Sequence, residues 1–394
     1  MQVSDENNLN GYDRKASVLK KLKFVTLVIL ILVLLFFFLG YREDITIENI
    51  RYLLKYVDIS PATIGSADAQ VIPFEADSTA ITTLFRSDLV VVDKDEVSTY
   101  DMSAKKGISD SVSLASPTVS AGKKYFAVFD MGENYYALYN SFSKIYEETT
   151  PYAIWDVVIG DNSEVLIVTA EKGYRSVLKV YNSELENKMN WFTPDKYIVS
   201  TDVFSSRDTF YSVGCVQNNE NGDFLSSLVV LKAGAEEVFS TLEITSELIL
   251  KTAFFDNGNI AVLTDRAVRV IDLTGKVLSE TRFSSESLRL FETDGEWSAL
   301  ILNENSIGTE HRLIILDQTG NTSMDTVIDT DVRDLSVSKS DVVILGTQKL
   351  ISINADKREP VVHTTDRSYE KAFALGDSKA VLIYDNNAYV VSVE

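Results

Sequence analysis

Two histidines, His311 and His363, and a single cysteine, Cys215, are the residues of this chain best suited to acid–base or nucleophilic chemistry. They stand far apart in the sequence. The chain therefore has too few suitable residues to form a Ser–His–Asp triad, a Cys–His pair or a histidine-rich metal site. We expect both histidines to be surface strand residues. Cys215 lies in an apolar run, which predicts a buried core residue. The sequence therefore predicts no catalytic residue, no cofactor ligand and no metal ligand.

The 58 acidic residues of the chain could bind a metal ion or act as catalytic carboxylates. Residues 217–223 look like a calcium loop, but aligning Gly222 with the loop glycine puts Gln217 at the first ligand position and Leu228 at the last. Neither position then holds a carboxylate, so we expect a polar hairpin tip. A pair of carboxylates, as in glycosidases, remains open, because so many acidic residues make such pairs inevitable.

A charge-free apolar run, FVTLVILILVLLFFFLGY, occupies residues 24–41. At about 1.5 Å per residue a helix of this length spans roughly 27 Å, close to the thickness of a bilayer core. Residues 1–23 are basic near the run, which predicts a cytoplasmic N-terminal tail and an extracytoplasmic C-terminal part. A cleaved signal peptide is the alternative, but the run is long and lacks a small-x-small site at its end.

Residues 42–68 are predicted to form a juxtamembrane helix and a linker. Their apolar residues follow helical spacing at Ile47, Ile50, Leu53, Leu54 and Val57.

A unit of four short strands recurs beyond the linker, at intervals of about 35–50 residues. In each copy a polar turn precedes a strongly apolar strand, and these turns stand at 86–87, 121–122, 161–162, 207–208, 256–257, 294–295, 339–340 and 376–377. The pattern predicts an all-β chain with a β-propeller of about eight four-stranded blades over residues 69–394. The last copy has only three strands, so we expect residues 69–74 to complete it. Seven blades and two stacked β-sandwiches are the alternatives.

Two insertions, at residues 218–225 and 303–311, lengthen the connection between the second and third strands of their units. We expect both to project from one rim of the ring and to be candidate partner-binding loops. The candidate residues are Asn218, Asn221, Asp223, Asn303, Asn305 and Glu310.

The turns around residues 271–278 and 316–321 resemble those of quinoprotein-like and WD40-like propellers. The tryptophan that normally follows is missing, because Ser279 and Met324 lead the next strands, so quinone binding is not implied. The whole layout resembles a family of uncharacterised bacterial proteins with a basic tail, one membrane helix and an outer propeller. This resemblance implies the architecture and a cell-membrane location, but no activity.

The formal net charge of −21 makes nucleic-acid binding unfavourable. The leading hypothesis is a membrane-anchored, extracytoplasmic, non-catalytic scaffold that touches the lipid bilayer through residues 24–41 and binds an envelope or membrane protein. The alternative is a module that binds or hydrolyses cell-wall sugar or peptide.

Overall fold

The computed structural model describes Thr26 and residues 62–64, 70–218, 224–305 and 310–393. The predicted tail, membrane helix and juxtamembrane helix lie outside the described residues, apart from Thr26. Within the part of the chain that is described, no helix is long and apolar enough to cross a membrane.

The all-β prediction is confirmed: the described chain folds into an eight-bladed propeller, each blade an antiparallel sheet whose strands we call A to D from the channel outward. Blades 1 to 4 consist of β3 (Ile81–Phe85), β4 (Asp88–Val92), β5 (Glu96–Tyr100), β6 (Lys106–Ser111); β7 (Pro117–Ala121), β8 (Phe126–Asp130), β9 (Tyr135–Tyr139), β10 (Lys144–Thr149); β11 (Ile154–Ile159), β12 (Val165–Thr169), β13 (Ser176–Tyr181), β14 (Asn187–Thr193); and β15 (Tyr197–Ser205), β16 (Thr209–Asn218), β17 (Phe224–Lys232), β18 (Ser240–Thr245). Blades 5 to 7 consist of β19 (Ile249–Phe254), β20 (Ile260–Thr264), β21 (Ala267–Ile271), β22 (Val277–Arg282); β23 (Leu288–Thr293), β24 (Trp297–Asn303), β25 (His311–Asp317), β26 (Thr322–Ile328); and β27 (Val332–Ser338), β28 (Asp341–Gly346), β29 (Lys349–Asn354), β30 (Glu359–Thr364).

Blade 8 joins the two ends of the propeller. It contains β31 (Lys371–Gly376), β32 (Lys379–Tyr384) and β33 (Asn387–Ser392), and β2 (Gln70–Pro73) pairs antiparallel with β33 as its fourth strand. The prediction that residues 69–74 complete the last blade is confirmed. A further short strand, β1 (Ala62–Thr63), adds parallel to β33 and was not predicted. This pairing closes the ring, because a strand from the N-terminal side of the propeller becomes the outer strand of the last blade.

The B strands are the core of each blade. Every residue of β4, β8, β12 and β20 is buried, because neighbouring blades cover both faces of the sheet. Strands packed on both faces lose the alternation of polar and apolar residues, which is why they read as short apolar runs. The D strands keep an alternating pattern, since one of their faces meets solvent.

Chain direction divides the propeller into two faces. The four strands of a blade alternate in direction, so the B–C hairpin lies at the same end of the blade as the D–A connection. We call this end the upper face. The A–B and C–D turns share the lower face. The C–D turns at Asp272 and Asp317 repeat one geometry: each aspartate Oδ1 accepts backbone N–H groups two and four residues later. Gly320 closes the second turn at φ +82°, and a Cβ there would overlap Ser279.

Candidate functional site

The strand ends that flank both predicted partner-binding loops lie on the upper face. One loop joins β16 to β17 in blade 4 and the other joins β24 to β25 in blade 6, each a connection between the second and third strands. Blade 5 separates them, so the structure gives them a common face without joining them in one cluster. Asn218 ends β16 and Asn303 ends β24. Of the remaining candidates Asn305 and Glu310 are described, whereas Asn221 and Asp223 lie outside the described residues.

An exposed aromatic cluster occupies the upper face at the junction of blades 3 and 4. The rings of Tyr174 and Phe192 have centroids 4.8 Å apart. Arg175 donates from Nη1 to the Tyr197 hydroxyl at 2.9 Å, and its guanidinium lies 5.4 Å from the centre of that ring. Phe224 is exposed at the start of the neighbouring C strand. Exposed aromatic side chains beside an arginine are typical of protein interfaces.

The sequence did not predict this cluster, because aromatic residues in strands are usually core residues. The sequence could have indicated the cluster through the position of these residues at strand ends on one face. Tyr174 lies in the connection after β12, Phe192 is the penultimate residue of β14, and Tyr197 is the first residue of β15.

A second feature of the upper face comes from the A strands of blades 3 to 7. In each, the register with the B strand skips one residue near the strand start. Such a bulge leaves the extra residue unpaired and re-aims its side chain. The five extra residues take equivalent positions in neighbouring blades: Trp155, Val199, Leu250, Arg289 and Arg333. We call this row the bulge arc.

The channel side of the A strands carries acceptor side chains that join one blade to the next. Asp202 Oδ2 accepts the Phe254 N–H at 2.6 Å, and Ser200 Oγ accepts the Thr252 N–H at 3.0 Å. Blades 7 and 8 repeat the arrangement, with Asp334 and Ser336 accepting from Ala372 and Ala374 at 2.9 Å each.

A cavity of about 510 Å³ opens on the lower face, lined by A–B turns. Asp161, Asp202, Asp256 and Asp294 contribute its carboxylates. Three of them are engaged: Asp161 pairs with Lys123, Asp202 accepts backbone N–H groups, and Asp294 Oδ1 accepts the N–H groups of residues 296 and 297 at 2.8 Å each. Within the described residues, no set of three or more His, Cys, Asp or Glu side chains is arranged to hold a metal ion.

Burial changes the ionisation of two half-buried channel carboxylates. It raises the pKa of Asp156 to about 6, opposed only by the N–H of Val157. Burial also raises the pKa of Asp202 to about 6, although two backbone N–H groups, from Phe254 and Val203, favour its charged form. Ionised Asp156 therefore destabilises the folded state at neutral pH, whereas Asp202 offsets part of the same cost with interblade bonding.

The prediction for the histidines is wrong for His311, which is almost fully buried at the start of β25. Its Nε2 accepts the N–H of Val332 at 3.3 Å and so ties blade 6 to blade 7. Burial lowers the pKa of His311, so the ring stays neutral and can accept this bond. His363 is half-buried, 3.5 Å from Ser352 Oγ.

Two further candidate nucleophiles, Ser352 and Cys215, are also unavailable for reaction. Ser352 donates its hydroxyl to the Val393 carbonyl at 2.6 Å, so the nearby histidine does not activate it. Cys215 is buried as predicted, and burial raises the pKa of its thiol to about 12.

Replacing the unneutralised channel carboxylate should stabilise the protein. Because its folded pKa lies above the unfolded value, Asp156 costs stability above pH 6, and the cost disappears as pH falls toward 4. We expect Asp156→Asn to raise the free energy of unfolding at pH 7.5 by about 1–2 kcal/mol, less than the full shift implies because the side chain is only half-buried and solvent screens its charge. The gain should vanish near pH 4, as measured by urea unfolding at several pH values.

Asp202→Asn is the matched control, since this carboxylate has a similarly raised pKa. Its two oxygens accept separate N–H groups, and an amide replaces one acceptor with a donor. We expect no gain in stability at pH 7.5, and an equal gain in both variants would contradict the role of Asp202 as an interblade acceptor.

Comparison with solved structures finds the same fold in proteins of very different sequence. The structure of BamB from Moraxella catarrhalis is 11% identical with a TM-score of 0.53, and the alignment covers 83% of this chain and 98% of that one. The WD40 domain of SCAP from fission yeast is 8% identical with a TM-score of 0.52, over 82% of this chain and 98% of that one. At these identities the likeness shows the fold alone.

No match is found among curated proteins. A family model, described as a family of unknown function (DUF5711), matches residues 69–393, which is most of the chain and the whole ring from β2 onward. The chain belongs to the DUF5711 family.

Proposed function

We propose that this protein is a membrane-anchored, extracytoplasmic scaffold that binds a protein partner through the upper face of its propeller and catalyses no reaction. The observation that carries the proposal is the exposed aromatic cluster of Tyr174, Phe192 and Tyr197 with Arg175. Tyrosine, tryptophan and arginine are enriched among the few residues that carry most of the binding energy of protein interfaces. The strand ends that flank both predicted partner-binding loops share this face.

The anchor rests on the sequence of residues 24–41 and on the basic residues before them. An uncharged run of this length stabilises a helix across the bilayer, and the preceding lysines and arginines favour retention of the N-terminus in the cytoplasm. The same run supports lipid contact and a location in the cell membrane.

The absence of catalysis is supported by the engagement of the reactive groups that the structure describes. Cys215 and His311 are buried, and the hydroxyl of Ser352 is donated to a carbonyl. A hydrolase of the serine or cysteine type would need an accessible nucleophile with a base in hydrogen-bond reach.

The orientation of the chain in the membrane can be tested with one added cysteine at a time. The native Cys215 thiol is buried and its pKa is raised, so it should not react with the labelling reagent. In intact cells, a membrane-impermeant maleimide should label Ser103→Cys, at an exposed turn of the ring, and should leave Ser4→Cys unlabelled until the cells are lysed. The parent chain is the control. Labelling of Ser4→Cys alone in intact cells would place the ring in the cytoplasm and end this part of the proposal.

Binding through the upper face can be tested with two phenylalanines of equal exposure on opposite faces. Phe192 and Phe239 are each 45% exposed, the first on the upper face and the second next to a C–D turn on the lower face. With a photoreactive amino acid at either position in cells, we expect a reproducible protein adduct from position 192 and none from position 239. Equal adducts from both positions, or none from either, would contradict the upper face as the binding surface.

The lower-face cavity favours a second candidate function, the binding of a polar cell-wall sugar or peptide. Its carboxylates are numerous, and its volume of about 510 Å³ lies in the range of small-ligand pockets. Thermal unfolding with purified wall fragments separates this candidate from the scaffold. If the cavity binds them, the melting temperature should rise in the parent and not in Asp161→Asn. An unchanged melting temperature with every fragment would eliminate the candidate.

A further inference from the structure

The side chains of the bulge arc change from apolar to basic along consecutive blades. Trp155, Val199 and Leu250 stand on three adjacent blades and are 50%, 44% and 44% exposed. Arg289 and Arg333 continue the same position on the next two blades and are also exposed. The arc is therefore apolar over blades 3 to 5 and basic over blades 6 and 7.

The residues of the apolar half are exposed although the isoleucine directly before each of them is buried. These three buried isoleucines are Ile154, Ile198 and Ile249. The core is therefore complete without the bulged side chains. Since a bulge turns its side chain away from the regular pleat, these three side chains are available to a ligand at the channel mouth. Contiguous exposed apolar side chains with a polar border mark interaction surfaces.

The basic half retains hydrogen-bonding capacity. Arg289 uses Nη2 for a bond to the Val332 carbonyl at 3.2 Å, and Arg333 lies 4.0 Å from the exposed carboxylate of Asp331. A guanidinium has five N–H donors, so both side chains keep donors for a carboxylate. In a chain with a net charge of −21, two neighbouring exposed arginines are complementary to an acidic ligand group.

We propose that the bulge arc binds an extended segment of a partner protein in which apolar side chains are followed by carboxylates. The apolar side chains pack on Trp155, Val199 and Leu250, and the carboxylates accept from Arg289 and Arg333. The inference rests on the proposed function, because it names the chemistry of the partner at the same upper face. The arc follows five consecutive blades, so one extended segment meets its residues in order.

The probes are two labelled synthetic peptides, each with three leucines alternating with serines, one ending in two glutamates and the other in two lysines. Fluorescence anisotropy with the purified full-length chain in detergent should show tighter binding of the glutamate peptide, by roughly tenfold, and weaker binding at high salt. Arg333→Glu should reverse the preference toward the lysine peptide. Trp155→Ala should weaken both peptides, whereas Phe239→Ser on the lower face should change neither.

Arg333→Glu removes only an exposed pair, so it keeps the test valid if variants at Arg289 fold poorly. Equal affinity for both peptides, or no reversal in a variant whose thermal unfolding is unchanged, overturns the inference. A concentration-dependent dimer in sedimentation that Arg333→Glu dissociates also overturns it, because the occupant is then a second copy. If the adduct at position 192 persists while the charge variants have no effect, this inference alone fails. If no adduct forms at all, the scaffold proposal fails with it.

Discussion

The inner edge of each A strand lines the channel and has no neighbouring strand to accept its N–H groups. A buried N–H without an acceptor costs as much as a lost hydrogen bond, and at two junctions one blade supplies such acceptors to the next. Asp202 and Asp334 do so for the backbones of Phe254 and Ala372, and serines two residues away repeat the contact. At these two junctions short acceptor side chains therefore join neighbouring A strands on the channel side.

The need for hydrogen-bond acceptors between blades gives the carboxylates in the channel a structural role. Acidic side chains that converge on a cavity suggest catalysis, but those at Asp202 and Asp334 serve as backbone acceptors and their burial is a cost of closing the ring. The A-strand bulges lie near the starts of their strands, at the upper face, and the bulged residues Trp155, Val199 and Leu250 are exposed there. At Asp202 and Asp334 interblade bonding occupies the carboxylates, whereas the aromatic cluster and the apolar part of the bulge arc are exposed on the upper face.

The eight-blade repeat and the closing strand were predictable because both depend on local patterns: apolar runs for the doubly covered B strands, polar turns between them, and one strand missing from the last copy. The bulge arc was not predictable, since a bulge appears only when the register of two strands is known. His311 was misassigned for the same reason. A histidine at a strand start reads as exposed, and only the neighbouring blade reveals that its Nε2 accepts the Val332 N–H.

Blade junctions differ in chemistry, and this has a consequence for acid stability. Ser176 and Ser226 accept an N–H from the first or second residue of the next A strand, whereas blade 6 uses His311. The lowered pKa of His311 means that its contribution is lost as pH falls below about 6.5, while the raised pKa of channel carboxylates relieves their cost over pH 6 to 4. The two effects oppose each other. Glu247, whose bidentate pairing with Arg269 lowers its pKa to about 2, loses its contribution only below about pH 4.5, so acid unfolding should begin there.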